Sequence, residues 1–121
     1  MPQKDLVERT MQYAIRIIEC FRSLPRETEA QIIGKQLLRS GTSVGANFRE
    51  AQRAQSDADF ISKLAISLKE LEESAYWLEL MEKTAIFPKN RLAPLQDETQ
   101  QLIAIFTSIT KKKKQSMRNR W

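Results

Sequence analysis

A helical seam near the C-terminus constrains this chain more than any other feature. Leu92, Leu95, Thr99, Leu102, Phe106 and Ile109 recur at spacings of 3, 4, 3, 4 and 3 residues. That heptad rhythm keeps one face of a helix turned towards its partners along its whole length. A strand cannot use it, because neighbouring residues of a strand point to opposite faces. Ile61, Leu64, Leu68, Leu71, Ala75 and Leu78 follow the same rhythm. Leu6, Thr10, Tyr13, Ile17 and Cys20 form another stripe, widened by Ala14, Ile18 and Phe21. Neither Asn-Gly nor Asp-Gly occurs and no stretch alternates as a strand does, so there is no β signal.

Breaks between the stripes set the element count. Leu24-Pro25-Arg26 ends the first segment, since proline disfavours the α conformation before it. Around Ala54-Gln55-Ser56-Asp57, Ser56 with Asp59 has the form of a capping box, Asp replacing Glu. In Phe87-Pro88-Lys89-Asn90, Pro88 suits a first helical turn. Helices are predicted near 4–23, 27–54, 57–86 and 89–114. Amphipathic helices with short connections must bury their stripes together, which predicts an all-α, antiparallel up-down-up-down four-helix bundle. Its domain is 1–110, followed by a basic C-terminal tail at 111–121.

The second segment holds every glycine: Gly34, Gly41 and Gly45. Each costs a helix about 1 kcal/mol relative to alanine, which raises the alternative of two helices broken near Ser40–Ser43. At about 100° per residue, however, the three glycines fall on one narrow stripe. One long helix is the better reading, with Gly41 and Gly45 at a close helix–helix or subunit contact. Ile33, Leu37, Val44, Phe48 and Ala51 form its apolar arc. Ser40, Ser43, Asn47 and Glu50 form a small polar row beside it, with Asn47 and Glu50 structural rather than catalytic. The remaining arc carries Lys35, Arg39, Arg49 and Arg53 and no acid. It reads either as a solvated face or as a phosphate-contacting strip about 27 Å long.

Composition removes most chemistry. Histidine is absent, so no Ser-His-Asp triad, His base or His-containing zinc site is available. The lone Cys20 excludes an internal disulfide, reads as a small core residue and fits a reducing, cytoplasmic compartment. Met1–Arg9 has no apolar run, so no signal peptide is expected, and no run reaches the length of a membrane span. A di-metal site would need Glu-x-x-His pairs from two helices, whereas Glu70, Glu72, Glu73, Glu79 and Glu82 share one. No phosphate-binding glycine loop occurs. No enzyme activity and no cofactor are expected.

The net charge of +5 is uneven. Residues 111–121 hold six of the 20 basic residues (Lys111, Lys112, Lys113, Lys114, Arg118 and Arg120) and no acid. Without them the chain has 14 basic against 15 acidic residues, a charge of −1. With Trp121, this end could hold RNA or DNA by charge and stacking, or rest on an anionic membrane. It could also be a disordered solubilising extension, or its lysines could continue the fourth helix. If the protein binds nucleic acid, the tail and the second-helix strip should act together, multiplied by copy number.

Ser43-Val44-Gly45-Ala46-Asn47-Phe48-Arg49-Glu50-Ala51 resembles the Ser-Val-x-Ala-Asn-Ile-x-Glu-Gly signature of the bacterial four-helix-bundle proteins also described as 23S rRNA intervening-sequence proteins. Leu24-Pro25-Arg26-Glu27 is similar to that family's Phe-Pro-x-Glu turn, and Leu37-Leu38-Arg39-Ser40 to its Leu-Arg-Arg-Ala element. Ser67-Leu68-Lys69-Glu70-Leu71-Glu72 is similar to its Ser-Leu-x-Glu-Leu-Glu element, which marks Glu70 as a partner for a buried polar group or a subunit. Phe48 and Ala51 depart from the pattern, and Ala51 could alter how sharply the second helix ends. The resemblance implies a four-helix bundle assembled as a ring-shaped homopentamer. It also implies kinship with the accessory protein of diversity-generating retroelements, a basic pentamer that associates with nucleic acid and a reverse transcriptase. It brings no enzyme activity.

Self-association has a second motive. Ile15, Ile18, Ile66, Tyr76, Trp77 and Met81 lie outside the main seams, and one core cannot easily face all of them. An odd ring needs two different faces in contact. The Trp77 side of the third helix against the small-residue face of the second is the expected pair.

Overall fold

The computed structural model describes residues 2–120, with side chains from Asp5 to Arg120. The elements are α1 (Pro2–Arg22), α2 (Thr28–Gln52), α3 (Asp57–Lys83) and α4 (Lys89–Arg118), with no strand among the described residues. Trp121, counted above with the tail, lies outside them.

Local chemistry explains the ends. Ser56 caps α3 as its spacing predicts: its Oγ accepts from the Asp59 amide at 3.0 Å. Asp57 and Asp59 in that first turn suit the positive end of the helix. α3 stops at Lys83, short of the expected 86. Ala85 takes φ of 57°, so its amide turns back to Glu82 O and that of Ile86 to Met81 O. This is a Schellman stop built on alanine, where glycine is the usual residue. α4 has no break at residue 110. It runs on to Arg118, so residues 111–118 are its last turns and not a separate tail.

α1 and α2 are held together by the glycine stripe. A Cβ added at Gly41 would lie 2.7 Å from Ile17 Cγ1, and one at Gly45 would lie 3.2 Å from Thr10 Oγ1. At Gly34 it would fall 2.1 Å from Leu24 Cδ1. Gly34, Gly41 and Gly45 thus meet progressively lower-numbered residues, Leu24, Ile17 and Thr10. α2 and α3 do the same through serines: Ser40 Oγ lies 2.8 Å from Ser74 Oγ, and Ser67 Oγ donates to Val44 O at 2.7 Å. α3 and α4 join where Gln96 donates to Glu82 and where Lys113 meets Asp57. α1 and α4 stand farther apart and are bridged by side chains. Arg9 donates to both carboxylate oxygens of Glu98 at 2.8 Å, and Tyr13 shares a 2.7 Å hydrogen bond with Thr99.

The seam of α4 is buried from Leu92 through Leu95, Thr99 and Leu102 to Phe106, and its last member, Ile109, is only partly buried. The core moves the seam of α3. The buried residues there are Phe60, Leu64, Ser67, Leu71, Ser74, Leu78 and Met81, whereas Ile61, Leu68 and Ala75 are only partly buried. Serine substitutes for a larger residue because α2 lies close at those levels, and each hydroxyl finds a carbonyl. Met81, expected on an outer face, is fully buried. Met11, Ile15, Ile32, Ile66 and Tyr76 remain exposed.

Tyr13 makes a testable consequence of this packing. Its ring is fully buried, and burial pushes the phenol up to about 12 from 10.0, against the lowering effect of hydrogen bonds to Thr99 and Ser74. The folded state therefore favours the neutral phenol. That stabilisation is complete below the unfolded value and is lost as pH rises through the folded one. A shift of this size corresponds to about 3 kcal/mol. Stability followed by urea unfolding should fall between pH 10 and about 12, and Tyr13→Phe should flatten that fall. An unchanged pH profile in Tyr13→Phe would contradict the assignment.

Candidate nucleic-acid interface

The four basic residues of the α2 arc do not behave as one strip. Arg39 is turned towards α3, where its guanidinium donates to Glu70 Oε2 at 3.0 Å and to Glu73 Oε2. Glu73 also accepts from Trp77 Nε1 at 3.0 Å. Arg39 is thus a clamp between helices, and Glu70 is its partner. The strip lacks acid only when α2 is read alone, because α3 supplies it. Lys35 is exposed but sits at the opposite half of α2, next to the Gly34–Leu24 contact. Arg49 and Arg53 are exposed and form no ion pair among the described residues.

In the small polar row Ser40 pairs with Ser74 of α3, whereas Ser43 and Asn47 serve their own helix. Ser43 Oγ donates to Arg39 O at 2.7 Å, and Asn47 Nδ2 donates to Ser43 O at 2.9 Å. Both return a hydrogen bond to the preceding turn. Glu50 is exposed. Nothing in this row converges on a reacting atom.

Gly41 and Gly45 are occupied by α1 of the same chain, so their close contact lies within the subunit. The glycine face expected to meet Trp77 of another copy thus carries α1 in this subunit. Trp77 itself is half-buried, packs on the core and stands edge-on to Tyr76 at 4.9 Å between ring centroids.

A different grouping emerges at one end of the molecule. The α2–α3 turn, which follows Arg49 and Arg53, abuts the last turns of α4. A cleft of about 290 Å³ there is lined by Gln52, Gln55, Ser56, Asp57, Phe60 and Lys113. Lys113 is partly buried, 5.3 Å above the Phe60 ring and 3.0 Å from Asp57 Oδ1. Arg120 reaches the other oxygen of the same carboxylate. These two hydrogen bonds, Arg120 first, hold the Asp57 carboxyl below its usual range. Lys111, Lys112, Lys114 and Arg118 are exposed and form no ion pair among the described residues. Six cations with no ion pair among the described residues, Arg49, Arg53, Lys111, Lys112, Lys114 and Arg118, are carried by the ends of α2 and α4, while Lys113 is the α4 cation that lines this cleft.

Asp57 was not singled out as a site residue by its sequence context, where it reads only as a helix-start acid. Its links to Lys113 and Arg120 span about half of the chain and have no local signal. Among the described residues no cluster of acids and cysteines could hold a metal ion. No helix there is long and apolar enough to cross a membrane.

The comparisons agree with one another. The profile of the 23S rRNA-intervening sequence protein matches residues 3–108. A solved structure of a protein of unknown function from the S23 ribosomal protein family of Bacteroides thetaiotaomicron VPI-5482 is 39% identical and superposes with a TM-score of 0.86. The match covers 92% of this chain and 99% of that one. No curated protein matches. With the profile spanning nearly all of the helical body, the chain belongs to the 23S rRNA-intervening sequence protein family.

Proposed function

We propose that this protein is a non-enzymatic nucleic-acid-associated module, an antiparallel up-down-up-down bundle that works in the cytoplasm as a ring-shaped homo-oligomer. The supporting observation is the gathering of unpaired cations at one end of a body that is otherwise close to neutral. Arg49 and Arg53 lie at the end of α2, and Lys111, Lys112, Lys114 and Arg118 lie in the last turns of α4, where Lys111, Lys114 and Arg118 line a groove of their own with Met117. Phosphate oxygens suit such a surface, and releasing counterions makes the binding steeply salt-dependent. Copies in a ring would multiply a modest single-site affinity. Exposed Met11, Ile15, Ile66 and Tyr76 supply apolar surface for the contacts between copies, with the pentamer implied by the resemblance as the favoured number. A reverse transcriptase is a candidate protein partner on the same ground.

Binding of a labelled single-stranded RNA, measured against salt, tests this reading. Each cation that neutralises a phosphate contributes about 0.7 to the log–log slope on a single strand. Replacing Lys111, Lys112, Lys114 and Arg118 by glutamine preserves the helix and should flatten the slope by up to about 3. Arg49→Glu with Arg53→Glu should weaken the remainder. No binding to RNA or duplex DNA at low salt would leave a purely structural or protein-docking oligomer as the better reading. Native mass spectrometry of the same preparation gives the copy number, and a single mass of 14.1 kDa would overturn the ring.

A further inference from the structure

We propose that the Asp57 carboxylate is an internal stand-in for a nucleic-acid phosphate, holding Lys113 and Arg120 until a phosphodiester displaces it from them. The inference rests on the phosphate-binding reading above and names the group that limits it.

The geometry carries the argument. One carboxylate engages two cations from α4 and its C-terminal cap region, one on each oxygen. Among the six basic residues after Thr110, these two alone are ion-paired among the described residues. Asp57 thus divides the basic end into four free cations and two masked ones. A phosphodiester is also an oxyanion that accepts from Lys and Arg, so it competes for the same donors. The pairs are poorly placed to resist it: the side chains of Arg120 and Asp57 are 59% and 29% exposed, and exposed pairs are weak and screened by salt. Space is available, because the cleft beside Asp57 is open and lined by Gln52, Gln55, Ser56 and Lys113. Lys113 is already aimed into it, steadied by the face of the Phe60 ring. The amides at the start of α3 favour whichever anion occupies this place.

A nearby residue separates masking from net charge. Asp59 lies in the same first turn of α3, carries the same charge and forms no ion pair among the described residues. Asp57→Asn and Asp59→Asn therefore change the total charge equally, but only the first frees Lys113 and Arg120.

The experiment measures binding of a labelled single-stranded RNA by the full chain across a salt series. Asp57→Asn should bind several-fold more tightly than the unaltered protein at low salt, with a slope steeper by up to about 1.4, two extra contacts at about 0.7 each. Asp59→Asn should leave the slope unchanged. A second pair of variants gives the same reading without touching Asp57. Lys113→Gln with Arg120→Gln removes masked cations and should weaken binding much less than Lys111→Gln with Lys112→Gln, which removes free ones. If Asp57→Asn behaves as Asp59→Asn does, or if the two lysine–arginine and lysine–lysine doubles weaken binding equally, the masking is wrong while the phosphate-binding reading stands. If neither the unaltered protein nor Asp57→Asn binds RNA or DNA at low salt, both fall.

Discussion

Phe106→Ala is expected to lower the free energy of unfolding by about 3–5 kcal/mol, the largest effect of any single truncation considered for this chain. Phe106 is fully buried in the α4 seam, and its ring lies 5.4 Å from that of Phe48 at a tilt of 31°. Phe48 is fully buried on α2, so the ring pair ties together two helices that are not neighbours in sequence. Removing one ring loses its burial, leaves a cavity that rigid helices cannot close, and strips the partner ring of its contact. For a domain of this size the melting temperature should fall by about 10–20 °C. Phe106→Leu keeps most of the volume and should cost about 1–2 kcal/mol. Urea unfolding with an unchanged slope would attribute the loss to the folded state. A loss under about 1 kcal/mol in Phe106→Ala would mean that the pair is not part of a rigid core.

Gly41→Leu should cost about 3 kcal/mol through overpacking, against a gain of up to about 1 kcal/mol from removing a helical glycine. The new Cβ alone would meet the fully buried Ile17 at 2.7 Å, and leucine adds three more carbons in the same direction. Ile17 is held by its own neighbours and cannot swing away as an exposed side chain would. Gly45→Leu should cost less, about 1–3 kcal/mol, since its nearest neighbour is Thr10 Oγ1 at 3.2 Å. The order of the two sites is the sharper test. Thermal unfolding that ranks Gly45→Leu as the more damaging would place the tight crossing at the wrong level of α1. An unchanged melting temperature for both would put the stripe outside the helix contact altogether.

These two sites also show what could be read in advance. The glycine stripe and the α4 seam were legible because helical periodicity is a property of the chain itself: 3.6 residues per turn converts spacing into direction. The start of α3 was legible for the same reason, as Ser56 and Asp59 interact within a single turn. The stop at Ala85 was not, because a left-handed alanine has no residue-type signature. Nor was the true seam of α3. Ser67 and Ser74 read as surface positions, and only the nearness of α2 makes their small size and their hydroxyls an advantage inside the core.

The basic residues divide along the same line. Periodicity assigned Lys35, Arg39, Arg49 and Arg53 to one arc of α2, though Arg53 is the cap residue just beyond that helix. Whether a cation on that arc is free depends on what the neighbouring helix presents, and α3 presents Glu70 and Glu73 to Arg39 alone. The run after Thr110 was visible as charge, yet its partition into masked and free cations depends on Asp57, 56 residues before Lys113 in the chain. By itself the sequence determined the helices, the apolar faces of α1, α2 and α4, the family and the excess of charge at one end. All of these follow from local spacing or from motifs read in order. The tertiary structure decided which cations are neutralised, which helix covers the glycines and which apolar residues stay outside. Those outcomes depend on distances between segments remote in sequence, and no local pattern encodes such distances.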